Sequence, residues 1–118
     1  MRDRLATVLV LVPAAAWACS GPGAMARIVA NERLGWILFV VTATVLGVGA
    51  GLLRRLGVSA RRVGLLAVPL LVHPGWWMSA RSGDCGAMLA LGSMAMTAVA
   101  VLVVGGALVV ALVRRRQA

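Results

Sequence analysis

Clusters of arginine separated by long, almost uncharged apolar stretches constrain this chain more than any other feature of its sequence. Nine of the 12 arginines lie in three clusters: Arg2 and Arg4; Arg54, Arg55, Arg61 and Arg62; and Arg114, Arg115 and Arg116. Only 13% of the residues are charged, whereas soluble domains carry about a quarter. Because so few polar groups are available to face water, the pattern predicts that lipid solvates much of the molecule.

Four apolar stretches have lengths near the ~20 residues that cross a bilayer core. They are residues 5–19, 34–53, 63–79 and 86–113. In lipid, only a helix satisfies all its backbone hydrogen bonds within one segment. The sequence therefore predicts an all-α integral membrane protein, a small bundle of four transmembrane helices that forms a single membrane domain.

The first stretch has a second interpretation. Arg2 and Arg4 precede a short apolar run, and Ala16-Trp17-Ala18 resembles the small-residue cleavage site of a signal peptide. Residues 1–18 would then be removed, and three transmembrane helices would remain. The sequence leaves a retained span and a cleaved signal peptide equally open.

The arginine clusters also predict which way the chain is inserted. Cytoplasmic loops are enriched in arginine and lysine, so the loop 54–62 and the tail 114–118 are expected inside. The outer loops, 19–33 and 79–86, carry only Arg27, Arg33 and Arg81. All four tryptophans fall at the predicted outer ends of the spans, where indole rings prefer the headgroup level. We therefore expect a cell (inner or plasma) membrane protein with both termini in the cytoplasm if the first stretch is retained.

The formal charge of +9 does not indicate nucleic-acid binding, because the arginines flank apolar runs and do not form one basic face. Anionic lipid headgroups of the cytoplasmic leaflet are the expected counterparts. The arginines expected to meet these headgroups are Arg54, Arg55, Arg61, Arg62, Arg114, Arg115 and Arg116.

Small residues mark a predicted helix-packing face in the second stretch. Ala43, Gly47 and Gly51 are spaced by four and so share one side of a helix. Such spacing allows a second helix to approach closely. The partner helix is expected to come from this chain, from a second protomer or from a larger membrane complex.

A group of polar and sulfur-bearing residues is predicted near the outer ends of the third and fourth stretches. It comprises His73, Met78, Asp84, Cys85 and Met88. Imidazole, thiolate and thioether groups would suit Cu(I), and copper is the only cofactor that the sequence suggests. A structural interpretation is favoured, in which His73 bonds a carbonyl freed by a proline or a water, and Asp84 caps the last helix.

Cys19 and Cys85 are both predicted on the outer side, where thiols are oxidised. A disulfide between them would tie the N-terminal region to the start of the last helix. Two unpaired, buried cysteines or pairing with another protein are the alternatives, because spacing along the chain does not establish proximity.

No catalytic motif is recognisable in the sequence, and no extramembrane domain is large enough to hold a substrate. The favoured interpretation is a non-enzymatic membrane protein that acts as an accessory or structural subunit, or as an interaction module. The alternative is a small pore, holin-like protein or transporter, in which His73 would be the ionisable residue. A third interpretation is an envelope protein that binds copper or takes part in redox chemistry.

The predicted orientation can be tested with a fluorescent protein that matures only in the cytoplasm. Fused after Gly57, it should fluoresce, because the surrounding arginines are retained inside. Fused after Gly83, it should remain dark. The reverse pattern would contradict the orientation.

Overall fold

The computed structural model describes residues 19–81 and 83–118, which form helices and turns without a β-strand among them. The helices are α1 (Ala24–Arg55), α2 (Ala60–Gly64), α3 (Ala67–Leu71), α4 (Pro74–Trp77) and α5 (Ala87–Gln117). The predicted first span, 5–19, and the alternative signal peptide, 1–18, lie outside the described residues except for Cys19.

Two of these helices, α1 and α5, are long and apolar enough to cross a bilayer. Their most apolar stretches are only 22% and 11% buried inside the molecule. The core helix of a soluble protein would be mostly enclosed, so a nonaqueous environment fits these exposed side chains better. The expected bundle of four continuous transmembrane helices is not seen, since the described residues contain two long apolar helices.

Helix α1 begins ten residues before the predicted span 34–53. Residues 24–33, which the sequence predicts in the outer loop 19–33, instead form the first part of α1. Gly23 precedes the helix with a φ of 92° and provides the turn. No proline or other break separates residues 24–33 from the apolar run, so one helix satisfies all of their backbone groups. Helix α5 likewise includes most of the predicted tail and ends at Gln117.

The predicted third span, 63–79, is not one helix. Residues 60–77 form the three short helices α2, α3 and α4. Pro69 and Pro74 each lack the N–H that would continue a helical hydrogen-bond ladder. The carbonyls of Leu65 and Leu70 instead accept hydrogen bonds from the N–H groups three residues later, Val68 and His73, both at 3.2 Å. These bonds form tighter turns than those of an α-helix.

Two exposed indoles complete the hydrogen bonding of this broken segment. Trp76 Nε1 donates to the Leu71 carbonyl at 3.1 Å, and Trp77 Nε1 donates to the Val72 carbonyl at 3.3 Å. The break between α3 and α4 therefore leaves its carbonyls paired, as an apolar environment requires.

Helices α1 and α5 run parallel, and the broken segment returns between them. The hydrogen-bonded pairs Asn31–Cys85 and Thr42–Thr97 are 54 and 55 positions apart, and this near-constant offset can arise only if both helices point the same way. Toward the arginine-bearing end, the three parts share a buried apolar core. This core consists of Leu46, Leu53, Leu66, Ala100 and Val104.

Close packing within this core can be tested at two neighbouring glycines of α1. A Cβ at Gly49 would lie 2.5 Å from Val104 Cγ1, whereas a Cβ at Gly47 would meet no described atom within 4 Å. Gly49→Ala should therefore lower the free energy of unfolding by about 1–3 kcal/mol through overpacking. Gly47→Ala, the matched control, should be neutral or slightly stabilising because alanine favours the helix. Denaturant titration in detergent would measure both, and equal stability of the two variants would contradict this packing.

Candidate functional site

His73 lies at the centre of a buried polar network between α1, α5 and the broken segment. Its side chain is fully buried, as are those of Thr42 in α1 and Ser93 in α5. Its ring also meets the Phe39 ring edge-on, with centroids 5.7 Å apart. The expected bond from His73 to a carbonyl freed by a proline is made by its backbone N–H, which donates to the Leu70 carbonyl at 3.2 Å, whereas its ring has other partners.

Hydrogen bonds in this network have a defined direction. His73 Nδ1 accepts from the Gly75 N–H at 3.0 Å, so the ring carries its proton on Nε2. The Nε2–H faces Thr97 Oγ1 at 3.4 Å. Thr97 donates its own hydroxyl proton to the Ser93 carbonyl at 2.7 Å. Thr42 must therefore be the donor in its 3.0 Å bond to Thr97, and Thr97 serves as the hub of the network.

Gly75 and Gly92 allow the segment that carries His73 to pack closely against α1 and α5. Pro74 occupies the first position of α4, where its missing N–H costs nothing. A Cβ on Gly75 would collide with the carbonyl of Gly35 in α1, and a Cβ on Gly92 in α5 would lie 3.0 Å from Pro74 Cγ. The His73–Pro74–Gly75 corner therefore contacts both long helices at backbone distance.

One hydroxyl in this region is unsatisfied. Ser93 Oγ is buried and has no hydrogen-bond partner among the described residues. Ser93 nevertheless contributes its backbone carbonyl to the network through Thr97. Its side chain matters here mainly through its small size, since the hydroxyl adds no bond to the polar cluster.

The network is suited to holding helices together. Its donors and acceptors are hydroxyls, an imidazole and backbone groups, and it ends at a backbone carbonyl. The acidic residues of the described chain are Glu32, in the first third of α1, and Asp84, in the loop before α5. Neither belongs to the network, as a proton relay would need. A site of this kind fixes geometry and does not expose a reactive group.

Sequence reasoning identified His73 but missed Thr97, which bonds its ring, and Thr42 and Ser93, which bond Thr97. A usable signal was present, because polar side chains inside apolar helices tend to pair with one another across helices. Their sequence separations, 24 and 55 positions for the bonds to Thr97, hid which residues meet.

Two residues of the predicted copper patch, Cys85 and Asp84, have structural roles. Cys85 is in a disulfide, and the Asp84 carboxylate accepts from the Gly86 and Met88 N–H groups at 3.0 and 2.9 Å. Met88 is exposed and Met78 is half-buried. Within the described ranges, no group of three or more histidine, cysteine or acidic residues is placed to hold a metal ion. Asp84 instead caps the start of α5, as the structural interpretation expected.

A covalent bond ties the end of the molecule that lies away from the arginine clusters. Cys19 and Cys85 form a disulfide with their Cα atoms 5.3 Å apart and a sequence separation of 66. In the chain-entropy treatment, a loop of this size corresponds to about 4 kcal/mol of stabilisation. Asn31 adds a 2.8 Å hydrogen bond from its side-chain amide to the Cys85 carbonyl, so Cys85 is joined both to Cys19 and to α1.

The predicted packing face of α1 remains open within the described structure. Ala43 and Gly47 line a groove of about 250 Å³ between α1 and the broken segment. No described atom lies within 4 Å of a Cβ built at Gly47 or Gly51. The described residues therefore leave Gly47 and Gly51 uncovered, although Ala43 and Gly47 border the groove beside the broken segment.

The seven arginines predicted inside are all exposed and lie together at one end of the molecule. Arg54 and Arg55 end α1, Arg61 and Arg62 lie in α2, and Arg114, Arg115 and Arg116 occupy the last turn of α5. Arg54 also donates to the Val58 carbonyl at 3.0 Å. The hairpin between α1 and α2 includes Gly57, whose φ of 86° is in the left-handed region that glycine adopts without strain.

Comparisons with protein-family models, with curated proteins and with solved structures found no match. Functional inference therefore depends on the residues and contacts of this chain.

The role of Thr97 as hub can be tested by removing one hydroxyl at a time. Thr97→Val keeps the shape but leaves the buried donors of His73 and Thr42 unpaired, so unfolding free energy should fall by about 1–3 kcal/mol. Ser93→Ala should be neutral or stabilising, because Ser93 Oγ has no described partner. Denaturant titration in detergent provides the comparison, and a Thr97→Val variant as stable as Ser93→Ala would refute the assigned network.

Proposed function

We propose that this chain is a non-enzymatic integral membrane protein that acts as an interaction module or accessory subunit of a membrane assembly. The observation that carries the proposal is the open groove of small residues between α1 and the broken segment. Small residues from both sides line it: Ala43, Gly47, Ala50, Gly64 and Ala67. A transmembrane helix of another chain can approach such a surface closely enough for backbone-level packing.

The glycines support this assignment because they divide into two groups. One group faces neighbouring atoms within 3.2 Å of a built Cβ, and these glycines pack the molecule internally: Gly35, Gly49, Gly75, Gly86 and Gly92. Gly47, Gly51 and Gly64 meet no described atom within 4 Å. A glycine inside a helix lowers stability by up to about 1 kcal/mol relative to alanine, and no contact with the described residues offsets that loss at Gly47 or Gly51. Close packing against a helix of another chain would offset it.

Membrane insertion fits the distribution of exposed side chains. Apolar residues on the outside of α1 and α5 include Ile37, Val48, Leu102 and Val109, each more than half exposed. Contact between such side chains and lipid tails has no free-energy penalty, whereas their exposure to water is unfavourable. The seven clustered arginines of the described chain at one end, and Trp36, Trp76 and Trp77 toward the other, fit the two interfaces of a bilayer.

We further propose that residues 60–77 cross the membrane as a discontinuous third span. Leu66 packs with Leu53 near the arginines, and Gly75 reaches Gly35 of α1. Between Gly35 and Leu53, α1 rises by about 27 Å, close to the ~30 Å of a hydrocarbon core. The interrupted backbone is compatible with this depth because it packs against the two long helices.

This placement brings His73 well into the hydrocarbon. Its network includes Thr42, which precedes Arg54 by 12 residues, or about 18 Å along a helix. Ionisable residues at such depth take part in function or connect helices through hydrogen bonds. The threonine hydroxyls that His73 meets favour the second role, so a proton-coupled transporter has less support than an interaction module.

The interaction face can be tested by adding bulk to it. Gly47→Leu should fill the groove and reduce recovery of the partner chain about tenfold or more, since the loss of close helix approach weakens association. Val41→Leu is the matched control, because Val41 is exposed on α1 but does not line the groove. Both variants should retain wild-type stability.

Association would be measured by gentle detergent extraction, mass spectrometry of co-purified chains and single-molecule counting of labelled protomers in native membranes. Wild type and Val41→Leu should show the same complex or oligomer, and Gly47→Leu should not. A lone monomer in wild-type membranes, or equal association of all three proteins, would contradict the proposed function. A cross-link from the groove to residues 5–19 of the same chain would show that the face serves internal packing instead.

A further inference from the structure

Two adjoining cavities lie at the arginine-bearing end of the molecule. The basic cavity, of about 710 Å³, is bordered by the α1–α2 hairpin and the end of α5. Four arginines line it: Arg55, Arg62, Arg114 and Arg115. The apolar groove, of about 410 Å³, runs from there between residues 58–66 and α5. Its apolar lining includes Leu53, Leu65, Leu66, Val103 and Val110.

These two cavities form one amphipathic surface because they share part of their lining. Val58, Arg62, Ala111 and Arg114 border both of them. Arg62 and Arg114 therefore stand where the basic cavity meets the apolar groove. A ligand that fills both spaces combines an anionic group with a long apolar chain in one molecule.

We propose that this surface is a binding site for one anionic phospholipid of the cytoplasmic leaflet. The phosphate is held between Arg62 and Arg114, and an acyl chain lies in the apolar groove. This assignment relies on the proposed membrane placement, but it does not depend on the proposed partner helix, whose groove has a separate position on α1.

The charge of the basic cavity supports an anionic ligand. Guanidinium groups offer paired donors that match two oxygens of a phosphate. Glu32 and Asp84 are the acidic residues of the described chain, and both lie toward the other end of the molecule. The side-chain carboxylates of the described ranges therefore lie away from the four arginines, and the basic cavity, which Ala118 also borders, has a positive charge that favours an anionic ligand.

The apolar groove distinguishes a phospholipid from a soluble anion. Inorganic phosphate would occupy the basic cavity alone and leave the groove unfilled. Gly106 lines this groove, and no described atom lies within 4 Å of a Cβ built there. An acyl chain of the surrounding bilayer can enter the space above Gly106, where it remains in an apolar environment throughout its length.

Depth in the membrane also matches. The cytoplasmic leaflet presents its anionic headgroups at the level where arginine clusters flank transmembrane segments. The Arg62 and Arg114 side chains occupy that level if α1 and α5 cross the bilayer, and the groove then extends from it toward the bilayer centre. Basic pockets between helices on this side are a known arrangement for lipid headgroup binding.

The test uses the full chain in nanodiscs that contain phosphatidylglycerol and phosphatidylcholine, with retained lipid measured by native mass spectrometry. The site variant is the double substitution Arg62→Gln and Arg114→Gln. The matched control is Arg61→Gln and Arg116→Gln, which removes the same charge from the same clusters but from residues that line neither cavity. The wild type should retain one phosphatidylglycerol per chain. The ratio of retained phosphatidylglycerol to phosphatidylcholine should fall roughly tenfold further in the site variant than in the control. The reason is that the attraction between an arginine and the phosphate weakens steeply as the distance between them grows.

A second pair of variants examines the acyl chain without changing charge. Gly106→Leu fills the groove, whereas Gly105→Leu adds the same bulk at a neighbouring position that does not line either cavity. Neither glycine has a described atom within 4 Å of its built Cβ, so both variants should fold. Retained phosphatidylglycerol should fall about tenfold with Gly106→Leu and stay at the wild-type level with Gly105→Leu.

Three outcomes would overturn the site. Equal losses in the two arginine variants would mean that the attraction is diffuse and involves all seven arginines. Displacement of the lipid by millimolar inorganic phosphate, with no effect of Gly106→Leu, would identify a free-anion site. Absence of retained lipid in the wild type would mean that another segment of the chain fills the groove. Each of these leaves membrane insertion intact, whereas a chain that stays dissolved without detergent would contradict the membrane placement itself.

Discussion

Hydrogen bonding between His73 and Thr97 is the interaction on which the arrangement of this molecule depends. Residues 60–77 are interrupted by two prolines and could not remain between α1 and α5 through a regular helical surface. The network replaces that surface with directed bonds, since His73 faces Thr97, and Thr97 in turn accepts from Thr42. One buried polar joint thus connects all three parts of the structure at the same depth.

The two ends of the molecule are held by different forces. At the end away from the arginines, the Cys19–Cys85 disulfide and the Asn31–Cys85 hydrogen bond join the start of α5 to the chain before and within α1. At the arginine-bearing end, apolar packing around Leu53 and Leu66 holds the segments, and the exposed arginines repel one another. The arginine-bearing end therefore has the charge that the proposed anionic lipid would neutralise, whereas the opposite end is covalently fixed.

Glycine has opposite uses on the two sides of α1. Gly35 and Gly49 allow neighbours within the chain to reach the helix, and a methyl group at either position would crowd them. Gly47 and Gly51 lie on a side that the described residues leave uncovered. The same residue type therefore builds the internal contacts and the proposed surface for a partner, and only the position around the helix distinguishes them.

The sequence by itself determined the all-helical class, the last helix almost to its ends and the gathering of arginines at one end. These follow from local apolar runs and charge, which act over a few residues. Tertiary structure alone decided where the proline-interrupted residues 60–77 pack and that His73 meets Thr97. It also paired Cys19 with Cys85 and left the Gly47 face open. These features depend on which distant segments come together, and composition and spacing along the chain do not specify that.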